Sequence, residues 1–131
     1  MNIGKLASLT GLSSKAIRFY ESEGIIESPQ RQANGYRDYP QSAVAELNFL
    51  RQARQFGFSL DECRQLMTLW HNPKRRSAEV HQLVTERQHQ VEQQIAELQE
   101  MSSLLNDLLN RCSANESSKC AIIDSLAGKK A

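Results

Sequence analysis

Cys112 and Cys120 carry the plainest chemistry in this 131-residue chain. They stand eight positions apart and bracket the polar run Ser-Ala-Asn-Glu-Ser-Ser-Lys. A loop of that length can fold back and point both sulfurs at one small object, either each other in a disulfide or a metal ion. The third cysteine, Cys63, sits in an apolar helical stripe with Leu60, Leu66, Met67 and Trp70 and is expected to be a small core residue. The histidines His71, His81 and His89 are too few and too spread for a histidine metal cluster. No paired carboxylates, Ser/His/Asp set or Gly-rich phosphate loop is visible, so the chain is not expected to be an enzyme.

The surroundings of the pair narrow the choice. No run of 18 apolar residues exists, and the start Met-Asn-Ile-Gly-Lys lacks the apolar core of a secretion signal. The expected location is therefore the cytoplasm, without a membrane partner, where thiols stay reduced and a structural disulfide is disfavoured. The net charge of +1 hides an asymmetry. Residues 1–76 hold eleven Lys and Arg against seven Asp and Glu, whereas residues 77–131 hold five against eight. A basic first half suits a polyanion.

The elements that must position these groups follow in order. Ile3, Leu6, Ala7 and Leu9 recur at helical spacing until Gly11. Ser13-Ser14 can cap a second helix with apolar face Ala16, Ile17 and Tyr20, ending at Gly24. Two short helices joined at a glycine form a helix-turn-helix pattern. Lys15 and Arg18 then share a face near the end that a recognition helix presents to base edges and phosphates. Ile25-Ile26 reads as a short strand, Asn34-Gly35 as a hairpin turn and Tyr36 to Tyr39 as the returning strand. Such a wing would carry Arg31, Tyr36, Arg37 and Tyr39 to a sugar-phosphate backbone, with at least one tyrosine spent on sealing the hairpin.

Residues 41–54 form an amphipathic helix through Val44, Leu47, Leu50 and Ala53, broken at Gly57. Ser59-Leu-Asp-Glu62 reads as a capping box opening the next helix. After the basic loop 71–76, Ser77 is expected to cap a last helix reaching about Arg111, roughly 50 Å at 1.5 Å per residue. Val84, Val91, Leu98 and Leu105 repeat at sevens along it, with Ile95, Met101, Leu104, Leu108 and Leu109 as companions. A stripe that long cannot be buried on so small a domain, so pairing with a second copy as a coiled coil is expected.

The segments Ile3-Gly-Lys-Leu-Ala, Ala16-Ile-Arg-Phe-Tyr-Glu21, Gly24-Ile-Ile and Asn34-Gly-Tyr-Arg-Asp-Tyr39 resemble the winged-helix N-terminus of MerR-family transcription regulators. The likeness continues through Leu50-Arg-Gln-Ala-Arg54, Gly57-Phe-Ser-Leu and the long helix, and so covers nearly the whole chain. Within the family, the Cys112–Cys120 loop and Ser77 look most like its copper-efflux branch; zinc-responsive members carry a cysteine where Ser77 stands. The resemblance implies a mainly α fold. Residues 1–70 would be a winged helix-turn-helix DNA-binding domain, with the helix pair about 3–23 and the wing about 25–39. Residues 71–76 would link it to a dimerisation helix, 77–111, in an antiparallel coiled coil. Residues 112–131 would form the metal-binding loop and a short helix. It further implies a homodimer on double-stranded promoter DNA, contacting it through Lys15, Arg18, Tyr20, Tyr36, Arg37 and Arg54. Metal-dependent DNA distortion would then let RNA polymerase use the promoter of copper-efflux and detoxification genes.

The donor set agrees with that branch. Soft thiolates select soft ions, and zinc normally takes four ligands. Two cysteines suit a monovalent ion that accepts two-coordination, namely Cu(I), with Ag(I) or Au(I) as substitutes. Two thiolates and a +1 ion leave −1, which the family arrangement places near a partner's long-helix N-terminus beside Ser77, where negative charge is favoured. A reversible thiol redox sensor and a copper-binding chaperone or buffer are the alternative readings. The tail Ala-Gly-Lys-Lys-Ala131 departs from copper sensors that carry further cysteines and histidines there.

Overall fold

The structure, a computed structural model, describes residues 1–112, 115, 118 and 120–128. It comprises two units, one from Met1 to Arg87 and one from Gln88 onward.

The first unit begins with α1 (Ile3–Thr10) and α2 (Ser14–Ser22). Asn2 opens α1 by accepting the Lys5 amide at 2.8 Å. Gly11, at φ 72°, closes it in the left-handed conformation and donates its N–H to the Ala7 carbonyl at 2.9 Å. Ser13 Oγ then accepts the Ala16 amide at 3.0 Å and starts α2. The turn between the helices is thus only residues 11–13. The buried Thr10 hydroxyl is satisfied by donating to the Leu6 carbonyl at 2.8 Å.

Ile25 and Ile26 form no strand; both are buried in the core. The apolar pair that suggested a strand faces inward from an irregular turn, because its burial comes from the helices around it. The wing itself is β1 (Gln30–Arg31) antiparallel to β2 (Arg37–Asp38), pairing Gln30 with Asp38 and Arg31 with Arg37. Pro29 and Pro40 flank these strands and lack the N–H that a longer ladder needs. The Gly35 amide donates to the Gln32 carbonyl at 2.9 Å and the Gln32 amide to the Tyr36 carbonyl at 2.8 Å. The hairpin therefore turns through Ala33-Asn34-Gly35, with Gly35 at φ 84°.

Next come α3 (Ser42–Gln55) and α4 (Leu60–Trp70). Ala43, Leu47, Leu50 and Ala53 are buried along α3 at spacings of three and four, the stripe of an amphipathic helix. The expected capping box opens α4: Ser59 Oγ accepts the Glu62 amide at 3.1 Å, and Glu62 accepts the Ser59 amide at 2.9 Å. Leu6, Ile17, Leu47, Leu50 and Cys63 are wholly inaccessible and form the centre of the core. Burial also raises the Cys63 thiol above its ordinary range, against the opposing charge of Arg54.

Helix α5 (Ser77–Arg111) takes in Ser77 as its first residue, so Ser77 stands one place inside the cap position expected for it. Val80 and Leu83 pack on the core of the first unit, but no α5 residue is buried. In the second unit Ile95, Leu98, Met101, Leu104, Leu105 and Leu109 are each at least half exposed. The last helix, α6 (Ala121–Leu126), follows Cys120. No described helix is long and apolar enough to cross a membrane.

Candidate DNA-binding face and thiol pair

Helix α2 buries Ile17, half-buries Ala16 and Tyr20, and leaves Lys15 and Arg18 exposed. Beside it, Asn2, Ile3, Arg18, Gln32, Gly35, Tyr36 and Arg37 line an open hollow of about 640 Å³ between the helix pair and the wing. Tyr36 is the outward tyrosine of the wing, 70% exposed. Arg31 is exposed and ties the hairpin together by donating to the Gly35 carbonyl at 2.9 Å. Arg54, also exposed, donates to the Phe58 carbonyl at 3.0 Å and braces the α3–α4 turn.

Tyr39 corrects the expectation that it reaches a sugar-phosphate backbone. It is 2% exposed, and its hydroxyl donates to Glu21 at 3.0 Å. Burial, then the Glu21 hydrogen bond and charge, push its phenol up to about 12, while Arg37 and Arg18 pull the other way. Tyr39 is the seal of the wing, and Tyr36 stays exposed. Glu21 was not singled out in the sequence, yet it also pairs with Arg37 at 3.2 Å and so locks α2 to β2. Its place in the Ile17-to-Glu21 helix segment, one turn after Ile17, was the available signal.

In the second unit, α5 delivers Cys112 at its end and Cys120 stands immediately before α6. Their sulfurs are 3.4 Å apart, both residues half-buried and both thiols free. A disulfide needs about 2.05 Å. Two in-line metal–thiolate bonds of about 2.3 Å need roughly 4.6 Å, a little over an ångström more than the observed separation. The pair thus fits a small soft ion after a modest spread. Cys120 makes no formed cap hydrogen bond, yet the Ile123 amide near its sulfur, followed by the Cys112 thiol and the Ile122 amide, holds its thiol below the ordinary range. That favours the thiolate, which is the form that binds metal. Among the described residues no group of three His, Cys, Asp or Glu side chains could hold a metal ion. Residues 113, 114, 116, 117 and 119 of the loop, and the tail from 129, lie outside the described residues.

His71 sits 3.2 Å from Glu46 and stacks on Trp70, while His81 Nδ1 lies 3.3 Å from the Thr85 hydroxyl.

Residues 1–69, from α1 through most of α4, match the family model of the MerR HTH family regulatory protein. Residues 44–108 match that of MerR, DNA binding. The HTH-type transcriptional regulator CueR of Escherichia coli O6:H1 is 48% identical over 128 residues, 98% of this chain and 95% of that protein. HmrR of Rhizobium leguminosarum bv. viciae is 40% identical, over 97% of this chain and 98% of its own. The structure of the transcription regulator PbrR691 from Ralstonia metallidurans CH34 in complex with lead(II) superposes with a TM-score of 0.86 at 36% identity. That match covers 96% of this chain and 98% of PbrR691. With a helix-turn-helix, a two-stranded wing and near-full-length relatives of this kind, the chain belongs to the MerR family of helix-turn-helix transcription regulators.

Proposed function

We propose that this regulator is a homodimeric sensor of Cu(I), accepting Ag(I) or Au(I), that activates copper-efflux and detoxification genes. The observation that carries the proposal is the Cys112–Cys120 sulfur pair, 3.4 Å apart with no third ligand grouped with it among the described residues. Two soft donors and no more favour a monovalent soft ion over zinc, which would be left short of its usual four ligands. The lead(II) complex of the related PbrR691 supports metal as the class of signal.

In this reading, residues 1–70 hold DNA, 71–76 link, 77–111 dimerise and 112–131 sense. Lys15 and Arg18 enter the major groove, while Tyr36, Arg37 and Arg31 meet the flanking backbone. Tyr20 and Arg54 lie at the edge of that contact. The apolar stripe of α5, left in water by a single chain, gains its burial from a second copy in an antiparallel coiled coil. Ser77 lies beside the partner's sulfur loop. A hydroxyl there supplies no third soft ligand, and the helix start accommodates the −1 charge of a dithiolate with a +1 ion. Cys112 and Cys120 would hold the ion, which would supply a clamp there. The residues around the clamp pass its presence to promoter DNA as a change of shape, which places the promoter elements for RNA polymerase.

Anaerobic titration with Cu(I), paired with in vitro transcription, tests the proposal. The expected result is tight uptake that requires both cysteines and switches transcription on, with Cys112→Ser and Cys120→Ser still binding DNA but failing to activate. Absence of uptake by the wild-type protein overturns it. The short sulfur separation also favours a second reading, a thiol redox sensor. Oxidant would then switch transcription in metal-free buffer, with a Cys112–Cys120 disulfide as the product.

A further inference from the structure

We propose that Phe19 is a specificity-determining residue of the DNA interface, its ring covering the C5-methyl group of a thymine in the major groove. The inference rests on the reading of α2 as the recognition helix and adds to it a base and a contact.

A turn of about 100° per residue places Lys15, Phe19 and Ser22 along one line of α2, with Arg18 beside them. This line is the face turned to solvent, since Ile17 is wholly buried, Tyr20 packs against the core and Ala16 is half-buried. Phe19 is 46% exposed in the middle of it, a large apolar ring one turn on from Lys15 and next in sequence to Arg18 on a nine-residue helix. The ring is supported from one side by Tyr20, with centroids 5.7 Å apart and planes tilted by 57°. The Ser22 hydroxyl donates to the Phe19 carbonyl at 2.7 Å, which occupies the polar side chain next along the line.

The chemistry of the groove then selects the occupant. Lys15 and Arg18 carry donors, which suit guanine O6 and N7 or phosphate oxygens. Phe19 has neither donor nor acceptor, so it cannot read a hydrogen-bonding edge. The one apolar group that a base pair presents in the major groove is the methyl of thymine. A ring with cations beside it is brought to a polyanion by its neighbours, and there the thymine methyl is the surface it can dehydrate.

Equilibrium binding of the full-length protein to duplex DNA tests this. The duplex is one the protein itself selects from random sequence, and each thymine in it is replaced singly by deoxyuridine, which removes only the methyl. Wild-type protein should lose roughly fourfold in affinity at one thymine of each half-site, about what burial of one apolar carbon is worth. Phe19→Ala should bind more weakly through Lys15, Arg18 and the wing and be indifferent to uridine at that position. Phe19→Leu should recover part of the discrimination. Indifference of the wild type to every methyl overturns the proposal, as does methyl dependence that survives in Phe19→Ala. If Phe19→Ala keeps DNA affinity and methyl dependence but loses transcription with polymerase present, the ring serves a protein partner and the proposal also falls. Failure to select any duplex would instead remove the underlying DNA-binding reading of α2.

Discussion

Gly57 lies in the turn between α3 and α4 at φ 83°, where an L residue is strained. A Cβ there would also collide with the guanidinium of Arg87, whose Cζ and Nε would stand 2.7 and 2.9 Å away. That guanidinium is held in place by donating from Nε to the Phe56 carbonyl at 2.8 Å. Gly57→Ala therefore acts twice: it adds about 1–2 kcal/mol of left-handed strain and expels a flexible side chain from its hydrogen bond. The bond is solvent-exposed and should contribute about 0.5–1.5 kcal/mol. Gly57→Ala alone should then cost about 1.5–3.5 kcal/mol, the sum of those two ranges, and Arg87→Ala alone about 0.5–1.5 kcal/mol. In the double variant the bond is already gone, so it should be no less stable than Gly57→Ala. The cycle should close with a coupling of about 1 kcal/mol, the shared bond counted once. Urea unfolding of the four proteins at one fixed concentration, followed by circular dichroism, measures it. Strict additivity would refute the overlap, and a Gly57→Ala variant as stable as the wild type would refute the strain as well.

Three further outcomes are expected. Ser77→Cys should add a soft ligand and broaden the transcriptional response to Zn(II) or Hg(II); a metal profile identical to that of the wild type would count against the role given to Ser77. The Tyr39 phenol titrates near 12 in the fold against 10.0 ordinarily, so the folded state favours its neutral form. That contribution is whole below about pH 10 and is lost as pH rises through about 12. Tyr39→Phe should cost about 1 kcal/mol at neutral pH and lose less stability than the wild type between pH 10 and 12, as read by urea midpoints. Iodoacetamide at neutral pH should alkylate Cys120 readily, because its thiol is held low, and spare the buried Cys63 until unfolding. Peptide mapping of the modified sites would expose an error if Cys63 reacted first.

The helical framework was readable because its causes are local. Gly11, Ser13 and the Ser59–Glu62 box announce helix ends within three or four residues, and the α3 and α4 stripes declare their inward faces by period alone. The wing was harder, because a two-residue strand has no period to detect, and Ile25-Ile26 imitated one while serving the core. Tyr36 and Tyr39 look alike as types. Only Glu21, reaching across from α2, decides which of them goes inside. The Phe56–Arg87 bond joins residues 31 apart and leaves no mark on either neighbourhood. Cys112 and Cys120 were legible as a pair from type and spacing, but their 3.4 Å approach depends on where α5 ends and α6 begins.

Trp70, the single tryptophan of the chain, lies half-buried between two rings of the first unit. Phe49 is stacked at 4.6 Å and 11°, and His71 at 4.7 Å and 22°. Its fluorescence therefore originates wholly in the unit that carries α2 and the wing, whereas the sulfur pair belongs to the other unit. A change in the indole signal on adding metal would therefore report an event in the unit that carries α2 and the wing, read with no label attached.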